Sequence, residues 1–190
     1  MGIYVASEST IYRVLRQHSL NAHRGRRRRA KNRRPREHRA TGPNQVWCWD
    51  ITYLRCPVRG AYFYLYLFLD VWSRKIVGWR VHDREDNELA AKAFVEICRA
   101  EGTDPKGLVL HSDNGGPMKG STMVATLERL GVTRSLSRPS VSNDNPFVES
   151  TFRTVKGHPS FPDKPFASLD AAAAWAVSYT HLRAHETRPY

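Results

Sequence analysis

Cysteine is scarce in this chain, and what there is carries no pattern. Cys48, Cys56 and Cys98 are the only three among 190 residues, and no two of them form a C-x-x-C pair. Seven residues separate Cys48 from Cys56, a gap that fits no common structural zinc spacing, even with His18 and His23 upstream. A zinc finger is therefore excluded, and reduced thiols in a cytoplasmic protein are expected. No apolar run approaches the roughly 18 residues that mark a membrane span. The first residues also lack the charged, then apolar, then small-residue order of a secretory leader. Internal repeats are absent. Acidic residues are rare at the start: positions 1–45 hold 12 Lys and Arg against 2 Asp and Glu, whereas 46–190 hold 18 against 16. The net charge of +12 thus belongs to a basic arm on a nearly neutral domain.

What is present is enough for a core. With 41% apolar and 11% aromatic residues, one domain of ordinary size and a small appendage are expected. Ser7 can cap a short helix to about Gln17, with Ile11, Val14 and Leu15 on one apolar face. That helix cannot bury its face alone, so it is expected to be one part of an incomplete helix-turn-helix unit spanning residues 1–23. Residues 24–44 then read as a basic linker. Arg26, Arg27, Arg28, Arg29, Lys31, Arg33 and Arg34 supply its densest charge, suited to the phosphates of DNA.

From Pro43 the pattern turns globular. β-Branched and aromatic runs predict strands at Val46–Leu54, Tyr62–Val71 and Lys75–His82, and apolar spacing predicts a helix over Asn87–Ala100. Further strands are expected at Leu108–His111 and Val132–Leu136, with a helix over Ser121–Leu130 between them. A last helix begins near Pro146, capped by Asp144 or Asn145, and carries Phe147, Val148, Phe152 and Val155. A three-strand meander followed by alternating helices and strands implies a five-stranded mixed sheet with helices on both faces, an α/β fold.

Three acids stand out against this background. Asp50 lies within W-C-W-D-I-T-Y, Asp113 follows V-L-H-S, and Glu149 sits in the first turn of the last helix, with 35 residues between it and Asp113. An acid near a helix N-terminus meets the macrodipole, which accounts for Glu149 taken singly. It does not account for the trio. Unpaired charges at buried strands are costly, and three carboxylates brought together repel unless a cation holds them. Oxygen-only clusters select Mg²⁺ or Mn²⁺. Two such ions can stabilise both the attacking and the leaving oxygen of a phosphodiester.

The strings W-D-I-T-Y at 49–53, L-D-V-W-S-R-K-I-V-G-W at 69–79, H-S-D-N-G at 111–115 and R-P-S-V-S-N-D-N-P-F-V-E-S-T-F-R-T-V-K at 138–156 carry a resemblance. From Gln45 to about Val177 the chain resembles the integrase catalytic core of DDE transposases, in the insertion-sequence group related to retroviral integrases. The resemblance implies a ribonuclease H-like fold over residues 45–177, preceded by the short helix and linker. It implies that Asp50, Asp113 and Glu149 are the catalytic acids and the ligands of two Mg²⁺ or Mn²⁺ ions. Asp144 and Asn145 would support the site structurally, and Lys156 would face the terminal nucleotides of the element. DNA, both element ends and target, would be the partner, with a homo-oligomer assembling on it in the bacterial cytoplasm, associated with the nucleoid. The expected activity is metal-dependent cleavage of DNA ends and strand transfer.

The rival reading is a catalytically incomplete remnant that only binds DNA. A ribonuclease H acting on RNA–DNA hybrids fits the fold but neither the 35-residue gap nor the strings. Asp70 reads as the partner of Arg74, His111, beside Asp113, as a packed or hydrogen-bonded neighbour rather than a base, and Trp47, Trp49, Trp72 and Trp79 as core. Residues 178–190 depart from the family pattern and are expected to be an atypical, non-native tail. The family likewise implies a fuller helix-turn-helix than residues 1–23 provide.

Overall fold

The computed structural model describes residues 6–18, 38–137 and 145–186, with side chains described through 180. Two compact units divide between residues 34 and 35. In the first, α1 (Glu8–Gln17) starts where Ser7 accepts the amide of Thr10 through its hydroxyl. None of its residues is buried, so Ile11 and Val14 stay exposed.

In the second unit, β1 (Val46–Arg55), β2 (Tyr62–Asp70) and β3 (Ile76–His82) form an antiparallel meander. α2 (Asn87–Ala100) follows, opened by Asp86, whose carboxylate accepts the amides of Glu88 and Leu89. β4 (Val109–Ser112) then pairs parallel to β1, and β5 (Thr133–Leu136) parallel to β4. Between these two strands run α3 (Gly116–Lys119) and α4 (Ser121–Arg129). After them come α5 (Pro146–Gly157) and α6 (Leu169–Glu186). The strand order is β3-β2-β1-β4-β5, so β1 is central.

Alternation along β1 divides the core. Trp47 and Trp49 join Phe68, Phe94 and Leu127 on the face covered by α2 and α4, whereas Cys48 and Leu54 join Val148, Phe152 and Ala176 under α5 and α6. β3 is packed so tightly to α2 that a Cβ on Gly78 would lie 2.5 Å from Ile97 Cγ1. The strands and helices expected from the sequence are present, with ends that differ by a residue or so. α3 and α6 were not expected. α6 runs through position 178 without a break, and Tyr179 is buried in the second core.

Two side-chain expectations are corrected. Trp72 is 54% exposed rather than core, because it lies in the β2–β3 turn. Asp70 does close that turn, and its carbonyl accepts the Arg74 amide at 2.9 Å, but its side chain takes other partners. Its carboxylate, 1% exposed, accepts the amide of Asn44 at 3.1 Å, the amide of Ser73 at 2.8 Å and the hydroxyl of Ser73 at 2.6 Å. Arg74, held at φ 62°, places its guanidinium 3.5 Å from the centre of the Phe147 ring instead.

Candidate active site

The pairing of β1 with β4 begins the site. Trp49 is registered with Ser112, so Asp113, the next residue, leaves β4 beside Asp50. α5 arrives from the other direction. Asn145 stands at its N-cap position and makes no capping bond. Its side-chain amide instead donates to the carbonyl of Trp49 at 3.3 Å. The expected cap is thus corrected to a cross-link. It pins the start of the helix to the residue before Asp50, and Glu149 follows one turn later.

Asp50 registers the result electrostatically. Burial pushes its carboxyl up to about 7, and the nearby charges of Asp113, Glu149 and Glu85 push the same way against one hydrogen bond from the Ile51 amide. Three chain segments therefore bring negative charge to one place. Among the described residues, however, no group of three His, Cys, Asp or Glu side chains is close enough, as placed, to form a ligand set. The three acids share a field rather than a common centre. Their donor chemistry still suits a hard divalent cation, because every donor is oxygen and Asp50 carries an unbalanced cost of ionisation. The Oδ1 atoms of Asp50 and Asp113 are both tied to the protein.

The tie on Asp113 was not foreseen. The hydroxyl of Ser137, a residue only 5% exposed, donates to Asp113 Oδ1 at 2.9 Å. Ser137 is itself held: its amide donates to the Ser112 carbonyl, and its carbonyl accepts the side-chain amide of Asn114, both at 2.9 Å. His111 is a hydrogen-bonded neighbour, as expected. Its Nδ1 lies 2.9 Å from the hydroxyl of Ser135, and its Nε2 lies 3.4 Å from that of Ser137. The alternating S-L-S of residues 135–137 was the available signal, since a period of two puts both hydroxyls on one side of β5.

Lys156 is exposed in the last turn of α5, seven residues beyond Glu149, where partial desolvation draws its ammonium below the usual range. Asp144 lies outside the described residues, as do Arg26, Arg27, Arg28, Arg29, Lys31, Arg33 and Arg34. No helix among the described residues is long and apolar enough to cross a membrane.

Comparison with known proteins agrees with this architecture. The integrase core domain family matches residues 40–142. The chain is 38% identical over 118 residues to the transposase of insertion sequence element IS904 from Lactococcus lactis subsp. lactis, covering 62% of this chain and 46% of that protein. It is 35% identical over 117 residues to the transposase InsF of IS3A from Escherichia coli K12, covering 62% and 40%. The matched stretch thus spans less than half of either relative.

Among solved structures, the simian T-cell lymphotropic virus intasome with PP2A regulatory subunit B56 gamma aligns at TM-score 0.57 and 20% identity, covering 93% of this chain and 62% of that one. The HTLV-2 integrase catalytic core domain with magnesium, in its trimeric form, aligns at 0.53 and 18%, covering 72% and 85%. At those identities the likeness speaks for the fold, which is ribonuclease H-like. Sheet, helices and sequence kinship lead to one place: the chain belongs to the integrase core domain family.

Proposed function

We propose that this chain cleaves DNA at the ends of an insertion sequence and joins the freed 3′ hydroxyl to target DNA. The observation that supports the reading is that the charges of Asp113 and Glu149 both act on the half-buried carboxyl of Asp50. These three side chains would hold Mg²⁺ or Mn²⁺, two ions in all. When bound, such ions supply Lewis-acid stabilisation to the attacking and leaving oxygens of an in-line displacement. The rest falls to the protein. The Ile51 amide and the Ser137 hydroxyl fix one oxygen each of Asp50 and Asp113, so the other oxygen is the one offered outward. Asn145 keeps α5 against β1, which sets where Glu149 stands. Lys156, on the same helix, is suited to a DNA phosphate near the reacting end.

The basic linker of residues 24–44 and the helix unit of residues 1–23 would hold DNA, and a homo-oligomer would bring paired ends together. Cleavage and joining are the same displacement with different nucleophiles, water first and the 3′ hydroxyl second. One carboxylate set therefore serves both. The test uses pre-cut DNA ends and a branched joining intermediate, with Mn²⁺ present. Joining or its reversal, lost in Glu149→Gln, supports the enzyme. DNA binding without either reaction would favour the binding-only remnant.

A further inference from the structure

A line of polar side chains leads through the sheet to Asp113. β4 and β5 run parallel, with His111 registered against Ser135, and side chains two residues apart on a strand share a face. His111 and Asp113 therefore stand along one strand and its end, and Ser135 and Ser137 along the next. His111 is also registered with Cys48, on the face that α5 and α6 cover. The contacts zigzag between the two strands. Ser135 Oγ lies 2.9 Å from His111 Nδ1, His111 Nε2 lies 3.4 Å from Ser137 Oγ, and Ser137 Oγ lies 2.9 Å from Asp113 Oδ1. Both serines are buried. Buried hydroxyls are costly unless bonded, and here each is bonded within the line.

The line has a direction, and Asp113 sets it. A metal ligand must be ionised, and a carboxylate only accepts hydrogen bonds. The one hydrogen of the Ser137 hydroxyl therefore goes to Asp113 Oδ1. The Ser112 carbonyl lies 3.3 Å from the same hydroxyl, but it is farther and uncharged, and it already takes the Ser137 amide. With its hydrogen committed, Ser137 Oγ can only accept from His111, so Nε2 carries the ring proton. In neutral imidazole Nδ1 is then an acceptor, and the Ser135 hydroxyl donates to it. The opposite tautomer would turn the Ser137 hydrogen toward His111. Two oxygens would then face each other across 2.9 Å with no hydrogen between them.

Resting on the function proposed above, we infer that Ser135, His111 and Ser137 form a one-way hydrogen-bond chain that holds Asp113 ready for a divalent cation. Ser135 selects the His111 tautomer, His111 orients the Ser137 hydroxyl, and Ser137 fixes Oδ1, so that the other oxygen is offered to the ion. His111 and Ser135 are thus positioning residues, and both act through Ser137.

The first readout needs no metal. In EDTA, at mildly alkaline pH where imidazole is neutral, NMR of the full chain with labelled histidine ring nitrogens should show His111 protonated at Nε2. Its signal is assigned by its loss in His111→Gln. Ser135→Ala should let the other tautomer appear. The second readout is the rise in melting temperature as Mn²⁺ is titrated. His111→Phe keeps a ring and loses both nitrogens, and should weaken apparent Mn²⁺ affinity about ten- to a hundredfold. His111→Gln, whose amide can place a donor near the Nε2 position, should recover much of that affinity, which packing alone would not do. Ser135→Ala should weaken it by a lesser factor. Where His111→Phe does not fold, the tautomer and the Ser135→Ala titration carry the test. A wild-type His111 protonated at Nδ1 overturns the chain, and so do titrations unchanged in His111→Phe and Ser135→Ala; either result leaves the proposed function standing. A wild type whose melting temperature ignores Mn²⁺ defeats the functional reading and the chain together.

Discussion

Two aspartates, one buried and one half-buried, lie on neighbouring strands of one sheet, and their surroundings could hardly differ more. Asp70, at the end of β2, accepts three hydrogen bonds from Asn44 and Ser73 and locks a turn. Asp50, within β1, has one amide for company and faces Asp113, Glu149 and Glu85. A carboxylate whose lone pairs are filled by donors is part of the scaffold. A carboxylate buried among its own kind stores an electrostatic cost that a cation can relieve. The partners, more than the depth, set them apart.

The sharpest way to break this contrast is to neutralise each acid in turn. Glu149→Gln or Asp113→Asn should lower Mn²⁺-dependent joining by about a thousandfold or more, if the transition-state charge is handled there as metal sites handle it. Neither should lower the melting temperature appreciably. A variant that joins DNA normally would return that acid to the scaffold class.

Asp50 also predicts a pH dependence whose sign is opposite to that of an ordinary salt-bridged acid. Its carboxyl titrates near 7 in the folded chain, against 3.8 without perturbation. Between those values the folded state keeps a proton that the unfolded state has lost. Stability in EDTA should therefore fall as pH rises from about 4 to about 7, by an amount on the order of a few kcal/mol. Asp50→Asn should flatten that part of the curve, and saturating Mg²⁺ should restore stability at pH 7 by binding the ionised form. Melting curves across pH, compared between the two proteins, provide the check. Parallel curves would show that Asp50 ionises freely.

Asp70→Ala should do the reverse of the active-site changes. It leaves the amides of Asn44 and Ser73 without their acceptor and opens the turn, at a cost of about 3 kcal/mol. Denaturant midpoints would register this directly. The effect on joining should follow stability and vanish at low temperature.

Ser137→Ala is the smallest and most specific of the changes. Asp113 loses the donor that fixes one of its oxygens, so apparent Mn²⁺ affinity, read as the shift in melting temperature on titration, should weaken about ten- to a hundredfold. Ser137→Thr, which keeps the hydroxyl, should recover much of it. An unchanged titration would show that Asp113 needs no support.

Much of the fold is legible in the sequence because β1, β2 and β3 are long, rich in aromatic and β-branched residues, and bounded by clear turns. Their ends fell within a residue or so of the observed ones. α6 was not legible. L-D-A-A-A-A-W-A-V-S-Y has no marked apolar stripe, and only its packing against the second core, through Ala172, Ala176 and Tyr179, explains why it folds. The three acids could be singled out by their local strings, since each follows or opens a recognisable element. The roles of Asn145 and Ser137 could not. Both act across the fold, one on a strand residue 96 positions earlier and the other on a strand-end residue 24 positions earlier, and no local pattern encodes such a partner. Trp72 misled because a large apolar side chain is ordinarily core, and no local pattern says that this turn leaves it exposed.

The central place of β1 has a consequence for how the chain matures. β1, β2 and β3 pair with near neighbours, so the meander can close as soon as residues 46–82 are available. β4 must return to β1 from Val109, and the Asn145 cross-link closes a far longer loop. Asp50 is thus in place early, whereas Asp113 and Glu149 reach it only in the later steps. During synthesis, a nascent chain holding fewer than about 150 residues would already have its first acid seated and would have no chemistry to offer. Under the proposed function, competence would arrive only after the scaffold, and a chain abandoned midway would be harmless to the genome that encodes it.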